Sequence, residues 1–397
     1  MQQPTGIGIH CFAGGFTMGM KTVLPVAGQL EIHNFGRQTA AAHGTKFMNA
    51  DTWEAWDDYR SSWRDCNFCF GNPRCTSFSC YSSGRDVSVR GPRAKPTRDI
   101  WDLCRFGVKA NLELIAFESV QQCYTVGRQL LNMIREELFE PNGYRIAHIF
   151  VNTAAERCAQ KRQRYFFVAY KAHRNFNVCL PKLDDYCVTS GDVLEPLMKR
   201  KTHEYKLYGQ SNINYSRDSY VNLTPDEKAI VPYLKDGWDL NYLGRVAPDV
   251  IKASSKKFYK VLCRSSSGIP FSLHCATRIK WSGHCPTISS TSGRLIHPKI
   301  DRPLTVGEIA AMMNWPKDFI PVGPDPIGQI GKGVVPPTAA WLGHQIKLYF
   351  EDFWKHEDFE SSYDKSTNAW VGHNFTQNQP MEKIFNLTQY IPTLKRI

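Results

Sequence analysis

The sequence places a cysteine where it could act as a nucleophile. Residues 71–79 read Gly-Asn-Pro-Arg-Cys-Thr-Ser-Phe-Ser, so Cys75 follows a turn that contains Pro73. The turn comes directly after the apolar run 66–70, which predicts a short buried strand. Open α/β sheets bind ligands at the carboxyl ends of their strands, so a thiol in this turn could meet a substrate. Most cysteines are inert packing residues and the chain has 13, so Cys75 becomes a candidate only together with other groups.

A carboxyl group and two arginines lie beside two other predicted strands. The apolar run 111–117 predicts a strand that delivers Glu118, and apolar neighbours would raise the pKa of its carboxyl group, as a proton donor requires. Arg162 and Arg164 precede a predicted strand at 165–170. Because arginines beside a buried strand are costly without acceptors, we expect both guanidinium groups to be paired.

A helix is predicted between these strands. Four apolar residues repeat at a spacing of four, namely Val126, Leu130, Ile134 and Leu138. This spacing places them on one helical face, and the helix should end before Pro141.

The N-terminal residues suit the binding of a cofactor. Residues 6–12 predict a buried strand, followed by a turn with Gly14 and by a helix over 17–23. Glycines let a ligand approach the backbone, and a helix N-terminus favours groups that accept hydrogen bonds. A second predicted strand ends near Glu31, whose carboxylate could accept from both hydroxyls of a ribose. Asp51 follows a third predicted strand and is available to a base or an exocyclic amine.

The composition is that of a globular protein. The chain has 397 residues, 42% of them apolar and 22% charged, which is enough for a sizeable core and for two domains. It has neither an apolar run of about 18 residues nor an N-terminal basic segment followed by an apolar one, so we expect a cytoplasmic protein without membrane contact. The odd number of cysteines, spread along the chain, indicates reduced thiols.

The positive charge is concentrated in one part of the chain. Residues 171–300 contain 20 Lys and Arg against 11 Asp and Glu, a net of +9 out of a total of +12. This segment is interleaved with tyrosine, tryptophan and phenylalanine residues, a pattern that suits a surface that meets a polyanion. The alternative is a solvated face above a small core of its own.

A zinc site is an alternative use of the cysteines. Four of them are close in sequence, at Cys66, Cys69, Cys75 and Cys80. If Cys66 and Cys69 lie in one strand, their side chains point to opposite faces, and no histidine is near in the sequence. We therefore expect no metal. Residues 80–97, rich in Ser, Gly, Arg and Pro, predict either a basic mobile loop or a disordered surface loop.

Taken in order, these segments resemble the DNA (cytosine-5) methyltransferases. The similarity extends from Phe12 to Pro337. Its main segments are Phe12–Phe16, Gly71–Ser79, Phe117–Val120, Gln160–Arg164, His284–Ile288, Arg302–Ala310 and Gln329–Pro337. The chain differs from the family pattern at a shortened glycine turn, and it has Arg74 in place of proline, Thr76 in place of glutamine and Lys332 in place of asparagine.

The resemblance implies a class I, Rossmann-like methyltransferase fold that depends on S-adenosylmethionine. A mixed, mostly parallel sheet with helices on both faces would span residues 1–180 and be completed by 325–397. Residues 181–325 would form a smaller, basic target-recognition domain that provides the other wall of a DNA cleft. The partner would be duplex DNA, and we expect a monomer in a bacterial or phage-infected cell.

The resemblance also implies a role for each candidate residue. Cys75 would add to the cytosine, Glu118 would hold and protonate its N3 edge, Arg164 would contact O2, and Arg162 would support the loop and the carboxylate. The S-adenosylmethionine contacts would come from Phe12, Gly14, Glu31, Asp51, Pro73 and Val334, with S-adenosylhomocysteine as the product.

Two other functions are compatible with the same pattern. One is methylation of RNA, since the family has a tRNA-methylating branch. The other is a non-catalytic, DNA-binding relative, which would follow if Arg74 or the short glycine turn prevented cofactor binding.

Overall fold

The structure is a computed structural model that describes residues 3–31, 36–48, 65–78, 95–153, 158–178, 188–205, 215–259, 276–290, 292–353, 363–364 and 369–373. The strands in these ranges are β1 (Gly6–Ile9), β2 (Val26–Leu30), β3 (Phe47–Met48), β4 (Phe68–Gly71), β5 (Leu114–Ser119), β6 (Tyr144–Asn152), β7 (Gln163–Lys171), β8 (His203–Tyr205), β9 (Ser219–Val221), β10 (Thr277–Arg278), β11 (Leu295–Ile296), β12 (Tyr363–Asp364) and β13 (Ala369–His373). The α-helices are α1 (Gly15–Lys21), α2 (Arg37–Ala42), α3 (Arg98–Lys109), α4 (Gln122–Thr125), α5 (Arg128–Ile134), α6 (Ser190–Leu194), α7 (Pro225–Ile230), α8 (Leu240–Val246), α9 (Pro248–Ser254), α10 (Val306–Met312), α11 (Pro326–Lys332) and α12 (Pro336–Phe350).

The chain divides into two compact units. The first contains Met1–Glu156, Gln163–Asp184 and Gly333–Ile397, and the second contains Arg157–Arg162 and Asp185–Lys332.

The first unit is organised around one large sheet. Its strands lie in the order β12-β13-β6-β7-β5-β4-β1-β2-β3. Strands β3, β2, β1, β4 and β5 are parallel neighbours, whereas β7 pairs antiparallel with both β5 and β6. The predicted mixed, mostly parallel sheet is therefore confirmed.

Apolar side chains cover the sheet on both faces. Cys69, Ile115 and Phe117 pack on one face with residues of α3 and α5, and Phe70 and Ala116 pack on the other with residues of α1 and α12. Successive residues of a strand point to opposite faces, so strands buried on both faces need continuous apolar runs. The apolar runs of β4 and β5 satisfy this requirement.

Several predicted boundaries were wrong by a few residues. Strand β1 ends at Ile9 rather than at residue 12, because His10 and Phe12 adopt the left-handed φ values of 55° and 51° that interrupt extended backbone. Strand β5 runs on to Ser119, so Glu118 lies inside the strand instead of following it.

The predicted helix over 126–138 is shorter and less regular than expected. Helix α5 ends at Ile134, where a π-helical turn and then a 3₁₀ turn follow. Leu130 and Ile134 are buried, but Val126 is 56% exposed, so it does not belong to the apolar face. The spacing identified the helix and overestimated its length.

The second unit has a small core of its own. Residues of α7, α8 and α9 pack together in this core, with Ile296 of β11 among them. Arg278 is buried beneath the unit's surface and donates to the carbonyl oxygens of Leu234 (2.6 Å) and His297 (2.7 Å). Near the start of α10, Arg302 binds Glu308 through two contacts of 2.8 Å. These arginines satisfy backbone and carboxylate acceptors that burial would otherwise leave unpaired.

The C-terminal part of the chain adds strands that the sequence did not lead us to expect. Strand β13 pairs parallel with β6, and β12 pairs antiparallel with β13. The predicted loop over 80–97 lies mostly outside the described residues, and its last part, Lys95–Thr97, is a 3₁₀ turn that leads into α3.

Candidate active site

The carboxyl ends of three neighbouring strands bring the candidate residues to one edge of the sheet. Ile9 of β1 pairs with Gly71 of β4, and Gly71 pairs with Phe117 of β5. The residues just beyond these three positions therefore share one edge of the sheet. They include the glycine turn, the segment with Cys75, and Glu118.

Glu118 is held by groups from two directions. Its side chain is almost fully buried and lies 2.7 Å from Arg164, measured from Oε1 to Nε. The side-chain amide of Asn72 donates to the other carboxylate oxygen. Arg164 reaches this point because β7 is antiparallel to β5, so β7 begins beside the carboxyl end of β5. The carboxylate is thus fixed between the cysteine segment and β7.

Cys75 lies in a turn after β4 that packs onto the protein. It is half-buried, and its carbonyl oxygen accepts from the backbone N–H of Phe78 at 3.0 Å. Phe78 is buried, and a side chain at Gly127 would collide with its ring. Behind the turn, burial raises the pKa of the Cys123 thiol to about 12, with smaller contributions from Cys75 and Glu118. Cys123 is therefore a neutral thiol under the site at neutral pH.

Arg74, the residue before Cys75, is bound to the helix that follows. Its Nε and Nη2 atoms donate to the two carboxylate oxygens of Asp99 at 2.6 and 2.9 Å. Asp99 belongs to the first turn of α3 and is buried. This contact raises the pKa of the Arg74 guanidinium.

The glycine turn and Glu31 form a second cluster of polar atoms at the same edge of the sheet. Glu31 follows β2, is 1% exposed, and accepts from the backbone N–H of Phe12 at 3.0 Å and from the Gln29 amide at 3.3 Å through Oε2. Its Oε1 atom lies 3.6 Å from Nδ1 of His10 and receives no hydrogen bond from the described residues. Gly14 has a φ of 91°, which favours glycine.

These features fit a ribose-binding carboxylate. A buried carboxylate oxygen needs a hydrogen-bond donor, and ribose hydroxyls would provide it. Of the other predicted cofactor contacts, Pro73 and Val334 are buried at the start of the cysteine segment and just before α12. Asp51 lies outside the described residues.

Arg162 and two of its hydrogen-bond partners, Ile288 and Gly331, belong to the second unit. It is 3% exposed, and its Nη1 donates to the carbonyl oxygens of Ile288 (2.6 Å) and Gly331 (3.0 Å). Nearby, the backbone N–H of Ile288 donates to the side chain of Gln160 at 3.0 Å. These bonds join the segment with Arg162 to two of the segments that carry the family resemblance, around residues 288 and 331.

The cysteines of the alternative zinc site differ in burial and in their position relative to β4. Cys69 is fully buried in β4, whereas Cys66 is half-buried before it, and Cys80 lies outside the described residues. Within the described ranges, no three His, Cys, Asp or Glu side chains form a group that could hold a metal ion. None of the cysteines in those ranges is in a disulfide.

The sequence did not reveal three of the residues that shape this edge. Asn72, Asp99 and His10 each contact a candidate residue through the folded chain. Asn72 lies between Gly71 and Pro73 and reads as a turn residue, and Asp99 reads as a polar residue of a helix. Only the position of Asn72 in the resembling segment gave a signal that could have identified it.

Solved structures with the same fold include an E. coli protein encoded within a prophage and provisionally described as a DNA modification methyltransferase. It superimposes with a TM-score of 0.62 at 17% identity, covering 88% of this chain and 99% of that one. At this identity the likeness concerns the fold, which is the Rossmann-like fold of S-adenosylmethionine-dependent methyltransferases.

The sequence comparison defines the family more closely. The profile of the C-5 cytosine-specific DNA methylases matches residues 7–348, so the chain belongs to that family. The Type II methyltransferase M.DdeI of Desulfomicrobium norvegicum is 24% identical in an alignment of 414 positions, which covers 95% of this chain and 95% of that protein. The chain is a DNA cytosine methyltransferase of a family that uses S-adenosylmethionine. In the part of the chain that the structure describes, no helix is both long and apolar enough to cross a membrane.

Proposed function

We propose that this enzyme methylates C5 of a cytosine turned out of duplex DNA, with Cys75 as a covalent nucleophile. The observation that carries the proposal is the fixation of Glu118 by Asn72 and Arg164, because Asn72 belongs to the same short segment as Cys75. The same segment thus carries the Cys75 thiol and, through Asn72, holds the Glu118 carboxyl group. Two such groups suit a planar base in which one atom is attacked and another is protonated. The base must leave the duplex, since neither group could reach it in the stack.

The thiol would make the cytosine ring electron-rich. C5 is a weak nucleophile, and addition of the Cys75 thiolate to C6 forms an S–C6 bond and moves an electron pair towards C5. Glu118 would hold the N3 and amino edge and give N3 a proton, while Arg164 binds O2. S-adenosylmethionine, when bound, supplies the methyl group on a sulfonium and becomes S-adenosylhomocysteine. Loss of the C5 proton to solvent then breaks the S–C6 bond and releases Cys75, and N3 returns its proton to Glu118.

The polar groups around the glycine turn would hold the cofactor. Glu31 would accept from the ribose hydroxyls through its Oε1 atom, and Phe12 would contact the adenine. Gly14 would lie against the methionine part, and Asp51 near the adenine amine. Pro73 and Val334 would complete the pocket. We propose no metal in this reaction.

Arg162 would act without contacting the cytosine. Its hydrogen bonds to Ile288 and Gly331 support a role in holding together segments of the second unit. In addition to its expected support of the cysteine loop, Arg162 would therefore fix the base of the target-recognition domain. We propose that residues 181–325 form this domain and read a short sequence in duplex DNA.

The wider setting follows from the relatives. M.DdeI is described as a Type II methyltransferase, which supports a role in modifying a short recognition site in cellular or phage DNA. We propose that the enzyme acts in the cytoplasm as a monomer.

The experiment is transfer of labelled methyl from S-adenosylmethionine to duplex DNA, with modified cytosines mapped by position. We expect 5-methylcytosine at one short site with wild type and no label with Cys75→Ala. Cys69→Ala, which removes a buried thiol from β4, serves as the matched control and should retain transfer. Label that persists in Cys75→Ala, or label on tRNA in preference to DNA, would contradict the proposal.

A further inference from the structure

The residue before the nucleophile is an arginine that is bound to a buried carboxylate. We propose that Arg74 and Asp99 form a clamp that positions Cys75, a role that rests on the proposed function of Cys75. The clamp would replace the restriction that proline gives the family at this position. Proline fixes its own φ, whereas an arginine needs an external contact to hold the same backbone.

The geometry of the pair is specific. Two parallel contacts of 2.6 and 2.9 Å join the planar guanidinium to the planar carboxylate, so the pair fixes orientation as well as distance. Lysine could not reproduce this arrangement, because its ammonium group is a single point charge.

Asp99 is a firm anchor for the clamp. It lies in the first turn of α3, where a negative charge also interacts favourably with the helix N-terminus. The next residues of α3 are in the core, including Ile100 and Leu103. A Cβ atom at Gly71 would collide with the side chain of Leu103, so α3 contacts the end of β4 directly. Asp99 is therefore fixed relative to the strand that leads to Cys75.

Cys75 is tethered on both sides. On the N-terminal side, Asn72 binds Glu118 and Arg74 binds Asp99. On the C-terminal side, the hydrogen bond from Phe78 closes the turn. Loss of the clamp would free the residue that precedes the nucleophile and leave the hydrogen bonds of Asn72 and Phe78 in place.

The ion pair with Asp99 favours a positioning role for Arg74 over two alternatives, activation of the thiol and binding of a phosphate. An unpaired guanidinium would lower the pKa of a neighbouring thiol or bind a DNA phosphate. The carboxylate of Asp99 compensates much of the charge and occupies two of the guanidinium donors. Removal of Arg74 should therefore change the position of Cys75 more than its acidity or the affinity for DNA.

The test compares Arg74→Ala, Asp99→Asn and the double variant with wild type in the full chain. We expect each single variant to lower kcat about tenfold with little change in KM for DNA, and the double variant to lose no more than either single. The matched control is Arg98→Ala, which removes the exposed arginine of the 3.4 Å ion pair with Asp102 in the same helical turn. It should leave kcat unchanged.

Two further measurements do not depend on methyl transfer. Hydrogen exchange over residues 72–78 should accelerate in Arg74→Ala and in Asp99→Asn but not in Arg98→Ala. The pH profile of Cys75 alkylation, followed by mass spectrometry of its peptide, should keep its midpoint in Arg74→Ala. If wild type transfers no methyl group, the proposed function fails, and the exchange rates still decide whether the clamp exists.

Restoring proline gives the sharpest outcome. We expect Arg74→Pro to retain most of the kcat and to become insensitive to Asp99→Asn. Independent, multiplicative losses from Arg74→Ala and Asp99→Asn would overturn the clamp. So would a raised alkylation midpoint, which indicates activation of the thiol, or a loss confined to KM, which indicates phosphate binding.

Discussion

Replacing Arg164 by methionine should destabilise the enzyme through the carboxylate that it leaves behind. The Arg164 side chain is 14% exposed and that of Glu118 3%, with 2.7 Å between Nε and Oε1. Removing one partner of a buried ion pair typically costs about 3–5 kcal/mol, because the other charge stays buried without compensation. Against a total stability of about 5–15 kcal/mol, this is a large loss.

The loss should depend on pH in a defined direction. At pH 8 the unfolded Glu118 is ionised, and folding Arg164→Met would either bury that charge unpaired or force it to bind a proton. At pH 5 the proton is taken up more readily, so the difference between variant and wild type should shrink. One proton changes the free energy of unfolding by at most about 1.4 kcal/mol per pH unit.

Urea unfolding followed by tryptophan fluorescence at pH 5 and pH 8 measures both quantities. The matched control is Arg135→Met, since Arg135 is 17% exposed and its partners Glu136 (2.7 Å) and Glu140 (3.3 Å) are 58% and 40% exposed. Its loss should stay within about 1 kcal/mol. Adding Glu118→Gln to Arg164→Met should recover part of the stability. Equal losses at both pH values, or equal losses in Arg135→Met and Arg164→Met, would refute the reasoning.

Two other changes test the proposed role of Glu31 in cofactor binding and the titration of a histidine in the second unit. Glu31→Gln should weaken the binding of S-adenosylmethionine about tenfold or more in calorimetry, because a hydrogen bond to a charged group contributes about 1.5–3 kcal/mol. Glu113→Gln, at the other end of β5, should bind as wild type does, and equal affinities in both variants would contradict a role for Glu31. Burial lowers the pKa of His297 from 6.5 to about 4, so this histidine folds uncharged and stability should fall as pH drops from 6.5 to 4. His297→Gln should lose that part of the acid sensitivity in pH-dependent unfolding, and an unchanged profile would show that His297 does not cause it.

The positions of Glu118 and Arg164 near the ends of strands could be predicted, because apolar runs locate strands and polar residues at strand ends stand out. The general fold followed from the family resemblance, and its mixed sheet is confirmed. The roles assigned to Cys75, Glu118 and the two arginines stay predictions. Local patterns could place these residues near one sheet edge, but not determine which atoms meet.

Contacts between distant parts of the chain could not be predicted from the sequence. The bond from Asn72 to Glu118 spans 46 residues, and the pair of Arg74 and Asp99 spans 25. Neither has a periodicity that would reveal it. The end of β1 was misjudged because the left-handed backbone of His10 arises from the turn itself. Strand β13 was missed because so short a segment gives little strand signal of its own, and it is defined by its pairing with β6 and β12.

The most direct test of the covalent mechanism is trapping on DNA whose target cytosine carries fluorine at C5. After addition of Cys75 and methyl transfer, C5 has no proton to lose, so the S–C6 bond should persist. Mass spectrometry of the digested complex should find the modified nucleotide on the peptide that contains Cys75, and only when S-adenosylmethionine is present. A stable complex attached through another residue, or methylated DNA without any adduct, would contradict the account.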